Sequence, residues 1–347
     1  MQNALIAMSG GVDSSVAAYL ALEAGYRCYG GTMLLWDTSP AVTVDAKGVC
    51  DRLGIPFHSF DASTVFRQEV VEPFIAAYEA GLTPNPCIRC NCTLKFSWLL
   101  DRALELGCDY VVTGHYARLA ADPATGRTLL YTAPDKAKDQ SYFLAGLTQQ
   151  QLSHSLFPLG ALTKEEVRSI AEAQGFLNAR KKDSQDICFI PDGDYKAFME
   201  HYTGKAYPAG NYIDETGKIL GRHSGAVGYT LGQRKGLGLA MGSPVYVCGK
   251  DMAANTVTVG SEEKLFTKTL LAEKSNFIPF DSLSSPLRIT AKARSRHIPQ
   301  AATVYPEENG SIRVIFDTPQ RAITPGQAVV LYDGDLVIGS ATITGAE

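Results

Sequence analysis

Three cysteines lie close together in the stretch Thr83–Phe96, which reads TPNPCIRCNCTLKF. Cys87 and Cys90 form a C-x-x-C pair, and Cys92 follows two positions later. Such a pair can be half of a zinc site, a redox couple, part of an iron–sulfur ligand set, or a pair that contains a nucleophile. No second close cysteine pair follows in the sequence, and no histidine stands at metal-ligand spacing from another. A reactive thiol is therefore favoured over a structural zinc site.

Two of the cysteines have basic neighbours. Arg89 and Lys95 flank Cys90, and the pattern predicts a helix that starts within a few residues, so we expect Cys90 to be stabilised as a thiolate. Cys188 stands in DICFI, which predicts a short apolar strand, after a basic run that begins at Arg180. A cysteine in such a strand is usually a small buried core residue.

A second stretch, ALIAMSGGVDSSVAAYL, predicts a strand, a glycine turn and the start of a helix in direct succession. Gly10 and Gly11 let backbone N–H groups approach an anion, and the helix N-terminus adds its positive dipole end. Ser9 and Ser14 supply hydroxyl donors, and Asp13 is a candidate ligand for the magnesium ion of a nucleotide. The alternative is a tight turn without a ligand. The string is neither a P-loop nor G-x-G-x-x-G.

Alternating strand and helix patterns position these groups. They continue to about residue 195 and predict an α/β domain with a parallel sheet covered on both faces. Short strands with little helix follow, and from about Thr256 segments such as TVTVG and QAVVLY predict a small β-barrel. The predicted domains are 1–195, 196–255 and 256–347.

The bulk composition is that of an ordinary globular protein. The 347 residues are 45% hydrophobic and 20% charged, with a net charge of −4. The sequence contains no long apolar run and no leader pattern, so we expect a soluble, cytoplasmic protein without a membrane association. The net charge excludes a protein coated in positive charge, but a local basic face is enough to bind nucleic acid.

The string S-G-G-x-D-S-S resembles the PP-loop of ATP pyrophosphatases, which cleave ATP between its α- and β-phosphates and adenylate a carbonyl oxygen. The resemblance implies the parallel-sheet fold of adenine nucleotide α-hydrolases, with ATP and Mg²⁺ bound at the turn. It also implies adenine near the end of the second strand. The implied nucleotide-binding residues are Ala7, Met8, Ser9, Gly10, Gly11, Val12, Asp13, Ser14, Met33 and Gly114.

The motifs SGGVDSS, TPNPCIRCN, KFSWLL, TGHYAR, KDQSYFL, KKDSQDICFI and YTLGQRKGLG occur in the order found in tRNA-specific 2-thiouridylases. The chain is similar to that family over nearly its whole length. The resemblance implies ATP-dependent 2-thiolation of the wobble uridine in tRNAs for Glu, Gln and Lys, with release of AMP and pyrophosphate. It makes Cys90 the catalytic nucleophile and Cys188 the persulfide carrier. A disulfide between the two would form during the reaction.

The resemblance also implies where tRNA is bound, namely through its anticodon loop, and a cysteine desulfurase or sulfur-relay protein as the sulfur donor. Without the resemblance, most of these positions would be read as ordinary solvated surface. The implied target-base pocket is formed by Asn85, Pro86 and Cys87. The other implied tRNA contacts are His115, Lys138, Asp139, Gln140, Arg294, Ser295 and Gln327.

The chain departs from several family members at Cys87, where they have Asp. The cysteine is either a benign variant or a third thiolate that, with Cys90 and Cys188, could hold a [4Fe–4S] cluster. Two other functions therefore stay open from the sequence: a cluster-dependent tRNA thiolase of the same superfamily, and a non-catalytic module that binds zinc and RNA.

Overall fold

The computed structural model describes residues 1–36, 40–181 and 187–347, and its strands form three sheets. The first sheet is parallel, the second is small and mixed, and the third is antiparallel. This arrangement confirms the predicted α/β domain, small central domain and C-terminal β-barrel.

The parallel sheet has the strand order β3-β2-β1-β4-β7. Its central strand is buried on both faces, since Ala4, Leu5 and Ile6 are each 0% exposed. The strand order reverses beside β1, and the carboxyl ends of parallel strands at such a point are where this type of sheet binds ligands. The strands up to residue 181 are β1 Asn3–Ala7, β2 Arg27–Leu34, β3 Phe57–Asp61, β4 Tyr110–Val112, β5 Ala117–Ala121, β6 Thr128–Thr132 and β7 Ser155–Leu156.

The described helices lie mostly in the first domain. They are α1 Val12–Glu23, α2 Pro40–Leu53, α3 Ser63–Phe66, α4 Glu72–Glu79, α5 Pro86–Cys90, α6 Leu99–Glu105, α7 Gln149–Ser153, α8 Lys164–Ala173 and α9 Tyr195–Thr203. A π-helical segment, Arg67–Val71, joins α3 to α4, and a second, Asn91–Trp98, joins α5 to α6. Short 3₁₀ turns occupy Ser141–Phe143, Ala226–Gly228, Glu262–Leu265 and Glu308–Gly310.

The helix that carries the three cysteines begins earlier than its apolar pattern suggests. The apolar pattern of KFSWLLDRALELG predicts a helix that starts near Lys95, but the helical backbone already starts at Pro86. The reason is local chemistry: the side chain of Asn85 accepts hydrogen bonds from the N–H groups of Cys87 (3.2 Å) and Ile88 (3.3 Å), and proline suits the first helical position. The cysteines therefore stand on the first turns of a helix rather than in the loop before it.

A hairpin of the first domain belongs to the third sheet. The apolar run CDYVVTGHYA predicts one buried strand, but the strand ends at Val112, and the chain then forms β5 and β6, which pair with each other. Strand β6 also pairs with β17 of the barrel, at Tyr131 and Leu336. The two domains therefore share one continuous sheet.

The remaining strands are β8 Gly210–Ile213, β9 Ile219–His223, β10 Tyr246–Asp251, β11 Thr256–Gly260, β12 Phe266–Phe277, β13 Leu287–Lys292, β14 Gln300–Pro306, β15 Ile312–Arg321, β16 Ala328–Asp333 and β17 Leu336–Ala346. Strands β12 to β17 close into a barrel, because β12 pairs with both β15 and β17. The segment TVTVG, which we grouped with the barrel, is β11 and pairs instead with β10 and β8 of the central sheet. The reason is a tight turn at Asp251–Asn255, in which the Asp251 carboxylate accepts the N–H of Ala254 at 2.9 Å.

One apolar core joins the first domain to the barrel. It contains Leu5, Phe96 and Tyr142 from the first domain together with Val330 and Tyr332 from the barrel, all buried. The barrel therefore packs against the same sheet and helix that position the phosphate turn and the cysteines.

Candidate active site

The phosphate turn has a backbone that only glycine can adopt. Gly10 has φ +69°, and a Cβ atom at this position would lie 2.9 Å from the carbonyl oxygen of Val42. Gly11 stands at the N-cap of α1 and has no side chain to offer the helix. The first N–H groups of a helix have no intrahelical acceptor, so this end of α1 can receive an anion at the carboxyl end of β1.

The serines of the turn are already ordered. Ser14 and Ser15 each donate a hydroxyl hydrogen bond to the carbonyl of Gly11 at 3.0 Å. The N–H of Ser9 donates to the Ser14 hydroxyl at 3.3 Å, and the two hydroxyls are 3.2 Å apart. Ala7, Met8 and Val12 hold the turn in the core, where Met8 and Val12 are buried.

Asp13 is engaged by side chains from two other elements. Lys164, at the start of α8, places its ammonium 2.7 and 2.9 Å from the two carboxylate oxygens, and the Tyr116 hydroxyl donates to one of them at 2.8 Å. The Lys164 side chain is only 10% exposed. In this arrangement a magnesium ion would have to share or replace the lysine.

The other two predicted nucleotide positions line the same crevice. Gly114 follows β4 and packs against α1, where a Cβ would lie 2.8 Å from the Asp13 backbone. Met33 lies in β2 and is partly buried between two apolar clusters. Both therefore stand at strand ends that border the phosphate turn.

The cysteines of the helix point in different directions. Cys90 packs, with Ile187 and Phe189, against a cluster centred on helices α3 and α4. Cys92 packs on the opposite side, in the core shared with the barrel, where a Cβ on Gly146 would lie 3.1 Å from its sulfur. Cys87 is exposed. Cys90 thus shares an apolar cluster with the two residues that flank Cys188.

Cys188 lies in a turn and not in the predicted strand. The N–H of Ile190 donates to the carbonyl of Ile187 at 2.9 Å, and Ile190 and Phe189 pack into the apolar cluster instead of joining a sheet. The turn leaves Cys188 in contact with solvent, although protein atoms crowd its thiol on most sides. Cys188 is far from Cys90 and Cys87 in sequence, but it lies close enough to both that their thiolate charges would raise its pKa.

The expectation of a stabilised Cys90 thiolate is wrong for this arrangement. Burial raises the pKa of the Cys90 thiol, and the nearby Lys95 ammonium opposes this only in part. Arg89 is engaged by Glu69, with its terminal nitrogen 2.8 Å from the carboxylate. Burial, followed by repulsion from Cys90 and Cys87, also raises the pKa of Cys188 to about 11. Both groups are therefore neutral thiols at neutral pH.

All eight cysteines are free thiols in the structure, so the predicted disulfide is not formed here. Within residues 1–36, 40–181 and 187–347, no three His, Cys, Asp or Glu side chains are grouped so that they could hold a metal ion. Cys87, Cys90 and Cys188 thus do not fit an iron–sulfur cluster in this arrangement.

The predicted tRNA contacts of the first domain face the protein itself. His115 is buried between Phe96 and Phe157 and lies 2.7 Å from the Thr113 hydroxyl; burial lowers its pKa well below the usual value. Asp139 accepts hydrogen bonds from Ala133 and Ser141. These residues stay predictions as tRNA contacts.

Lys138 and Gln140 flank Asp139 in the same turn. The backbone N–H of Lys138 donates to the carbonyl of Asp135 at 3.1 Å. Gln140 bonds the backbone of Tyr116 through both its side chain and its N–H, each at 2.9 Å. The turn thereby helps to hold the Tyr116 that bonds Asp13.

The predicted contacts of the barrel are all half-buried. The Arg294 guanidinium is half-buried and donates to the carbonyls of Leu231 (2.9 Å) and Ala322 (3.0 Å), which ties the barrel to the central domain. Ser295 is half-buried beside it. The Gln327 side chain donates to the carbonyl of Thr83 at 2.7 Å, directly before the cysteine helix. These too stay predictions as tRNA contacts.

Sequence reasoning missed several residues that shape the site. Nothing in the local sequence pattern around Lys164 connects it with Asp13. Asn178 donates to the carbonyl of Gly10 (3.2 Å) and the Ser15 hydroxyl (2.9 Å). Asn91, buried next to Cys90, donates to the carbonyl of Phe143 at 2.9 Å. Only the position of Asn91 directly after a candidate nucleophile was a usable signal.

Comparison with known proteins places these features in a class. A family model described as "tRNA methyl transferase HUP domain" matches residues 2–192. Models described as "tRNA methyl transferase PRC-barrel domain" and "Aminomethyltransferase beta-barrel domain" match residues 196–261 and 267–343. The chain is thus a HUP-domain protein with two appended β domains.

Similar chains over the full length define the family. The chain is 46% identical over 352 residues to the tRNA-specific 2-thiouridylase MnmA of Acetivibrio thermocellus, covering 98% of both. It is 45% identical over 350 residues to the protein of that name from Clostridioides difficile (98% and 97% covered), and 47% over 351 residues to that from Moorella thermoacetica (98% of both). The chain belongs to the tRNA-specific 2-thiouridylase family, as the motifs predicted.

Among the described helices, none is both long and apolar enough to cross a membrane.

Proposed function

We propose that this chain replaces the 2-carbonyl oxygen of the wobble uridine in tRNA with sulfur, at the expense of ATP. The observation that carries the proposal is the approach of Cys188 to Cys90 across the sequence, at the edge of the domain that holds the phosphate turn. The family membership supports the same reaction, and tRNAs for Glu, Gln and Lys are the proposed acceptors.

The phosphate turn supports the first half of the reaction. The carbonyl oxygen of uracil is a poor leaving group, so the chain must activate it. Attack of this oxygen on the α-phosphorus of ATP forms a C2–O–P bond and releases pyrophosphate. The glycine backbone of Gly10 and Gly11 and the N-terminus of α1 stabilise the negative charge of the phosphates.

The two thiols support the second half. A donor protein, such as a cysteine desulfurase or a relay protein, loads Cys188 as a persulfide. The Cys90 thiolate attacks the Cys188 sulfur and forms a disulfide, and the outer sulfur leaves as sulfide with the bonding electron pair. Sulfide adds to C2, and AMP leaves with the former carbonyl oxygen. Alternatively, the outer persulfide sulfur attacks C2 first and AMP leaves. The Cys90 thiolate then attacks the Cys188 sulfur, which forms the disulfide and releases the thiolated uridine. Either route leaves a disulfide that a thiol reductant must reduce.

Because both thiols have a raised pKa, Cys90 must lose its proton when the substrate is in place. The Lys95 ammonium is the described group that favours the thiolate.

Metal chemistry has a smaller place in the proposal. When bound, magnesium would neutralise charge on the triphosphate, and Asp13 is its candidate ligand. The Tyr116 hydroxyl would orient the carboxylate, which the ion would share with Lys164 or take over from it. We assign no step to an iron–sulfur cluster, because the three candidate thiols do not form a metal-binding group. We place the reaction in the cytoplasm, where tRNA and a desulfurase are available.

The test is reconstitution with unmodified tRNA, ATP, magnesium, cysteine and a cysteine desulfurase, followed by mass spectrometry of the digested tRNA for 2-thiouridine. We expect product only with ATP, and none from Cys90→Ser or Cys188→Ser. Cys92→Ser is the matched control on the same helix, since its thiol packs in the core shared with the barrel, and should retain activity. Cys87→Ser should also remain active.

Three outcomes would change the conclusion. Product from Cys188→Ser would remove the persulfide carrier from the mechanism. Loss of product with Cys87→Ser, together with product from the wild type only after reconstitution with iron and sulfide, would indicate a cluster. No product under either condition, with tRNA still bound, would favour an RNA-binding module.

A further inference from the structure

A cavity of about 500 Å³ opens near the segments that carry Cys90 and Cys188, and its lining residues have no role in the reaction described above. It lies at the carboxyl ends of β2 and β3, between Trp36, the start of α3 and the last turn of α9. This edge of a parallel sheet is where such folds bind ligands.

The cavity has an aromatic wall. Trp36 is 38% exposed, an unusual exposure for so large an apolar side chain. It is held by two rings of α9, with centroid distances of 5.2 Å to Tyr202 and 5.9 Å to Phe198. An exposed aromatic ring in a fixed orientation is the feature on which an unstacked nucleobase packs.

The cavity also has a cationic group. Arg67 lines it with a side chain that is 53% exposed, and its Nε lies 3.9 Å from the Glu72 carboxylate, too far for a tight pair. Glu72 accepts a hydrogen bond from the Tyr202 hydroxyl at 3.4 Å, and His201 also lines the cavity. The guanidinium is therefore available to an incoming phosphate group, while Glu72 faces the tyrosine.

Two contacts connect the cavity with the cysteines. Phe198, which packs on Trp36, also packs on Phe189, with centroids 5.3 Å apart, and Phe189 directly follows Cys188. On the other side, Arg67 belongs to the same π-helical segment as Glu69, which binds Arg89 next to Cys90. The cavity is thus one layer of side chains away from the proposed sulfur-transfer site.

We propose that this cavity binds a nucleotide that flanks the modified uridine in the single-stranded tRNA loop, with its base on Trp36 and its phosphate on Arg67. The inference rests on the proposed function, since it names a second contact of the same substrate. A loop whose target base is turned into one pocket presents the neighbouring bases unstacked, and a second aromatic site beside that pocket would hold the loop in register.

The sequence offers a direct probe, because it contains two tryptophans only, Trp36 and Trp98. Trp98→Phe leaves Trp36 as the single indole fluorophore. We expect titration with unmodified tRNA, or with a short single-stranded RNA of the anticodon-loop sequence, to quench this fluorescence. The same RNA with abasic sites on both sides of the target uridine should bind with little quenching.

Two variants measure the contribution to binding. Trp36→Leu should weaken tRNA binding by roughly 5- to 150-fold, the range for loss of one base–aromatic stack. Arg67→Gln should reduce the slope of log K against log salt by about one. Arg102→Gln, which removes an arginine paired with Glu105 on α6, is the control and should change neither. The ATP KM should be the same in all of them.

The outcomes separate this inference from the proposed function. Normal 2-thiouridine formation with an unquenched Trp36 and full tRNA affinity in both variants would overturn the cavity assignment and leave the function standing. Quenching by ATP and magnesium alone would make the cavity the adenine site. If the two variants form 2-thiouridine more slowly only when the donor protein supplies the sulfur, the cavity is a contact site for the donor protein. Absence of both tRNA binding and product in the wild type would overturn the function itself. If the Trp36→Leu protein does not fold, the salt dependence of tRNA binding by Arg67→Gln still tests the proposal.

Discussion

The Cys90 and Cys188 thiols lie in surroundings that favour the neutral form, although the sequence around them is rich in Lys and Arg. Arg89, which directly precedes Cys90, is engaged by Glu69 and is not among the groups that shift the pKa of Cys90. Burial, by contrast, depends on the fold and is the largest cause of the raised pKa at both sites. The net direction therefore could not be obtained from neighbouring residue types.

The raised pKa values predict how the free enzyme reacts with iodoacetamide. Only the thiolate is alkylated, and with a pKa of about 11 roughly one Cys188 in a thousand is ionised at pH 8. We expect the rate at Cys188 to rise about tenfold per pH unit between pH 7 and 10, without a plateau. Lys95→Met should move the Cys90 profile to higher pH, because the ammonium is the group that lowers this pKa. Peptide mass spectrometry gives both rates.

Cys28 and Cys50 are buried and provide the internal control, since they should stay unmodified in the folded protein. A plateau near pH 7 at Cys188 would contradict the prediction and would mean that a cation in the free enzyme stabilises the thiolate.

At the scale of elements, a turn of the barrel holds the start of the cysteine helix. The N–H of Thr83 donates to the carbonyl of Pro325 at 2.9 Å, and Gln327 donates back to the carbonyl of Thr83 at 2.7 Å. Between them lies Gly326, where a Cβ would come within 2.9 Å of the Thr83 nitrogen. The barrel thus fixes the chain two residues before the Asn85 cap.

This contact predicts the effect of Gln327→Ala. Without its amide, the helix start is held less firmly and Cys90 is oriented less well, so we expect kcat to fall about tenfold with an unchanged tRNA KM. The alkylation rate of Cys90 should also change in the absence of tRNA. Steady-state kinetics and peptide mapping measure the two effects. Gln320→Ala is the matched control, since the side-chain amide of this barrel glutamine donates to Thr318 of its own strand. A raised tRNA KM with normal kcat would instead support the tRNA contact implied by the family resemblance.

The elements also show how far the sequence could be read. The strand–turn–helix of the phosphate site follows from local chemistry, because apolar residues, two glycines and a helix pattern occur in direct succession. The start of α5 was within reach as well, since Asn85 and Pro86 are a cap and a first-turn residue.

What was missed depends on distant contacts. The apolar run around Cys188 resembles a strand, but Phe189 and Ile190 are apolar because they pack on helices from another part of the chain. The link between Lys164 and Asp13 spans 151 positions, and no local pattern indicates it. The order of the motifs predicted the roles of Cys90 and Cys188, whereas the direction of their pKa shifts depends on burial in the folded chain.

At the scale of the molecule, the first domain and the barrel are stabilised by one shared core. Strand β16 shows this directly: Val329 points into the barrel core and Val330 into the core shared with Leu5 and Phe96, and both are 0% exposed. Adjacent residues of identical chemistry therefore serve two different interfaces.

This alternation predicts two separable effects. Val329→Ala and Val330→Ala should each lower the free energy of unfolding by about 1–3 kcal/mol, through lost apolar burial and a small cavity. Only Val330→Ala should also speed hydrogen exchange in α5 and α6, because it loosens the contact of the barrel with the cysteine helix. Denaturant unfolding and hydrogen-exchange mass spectrometry measure these effects. Equal exchange in both variants would mean that the helix does not depend on the barrel.

The hairpin β5–β6 has a consequence for synthesis on the ribosome. Thr132 bonds the carboxylate of Asp335, its partner 203 positions later, and β6 pairs with β17 near the end of the chain. The first domain emerges long before that strand exists, and until then β6 has an unpaired strand edge of the kind that recruits other chains. A translation product that stops before Leu336 would keep that edge open and should be a substrate for chaperones and proteases. Completion of β17 thus covers the edge of β6 through which the nascent domain would otherwise aggregate.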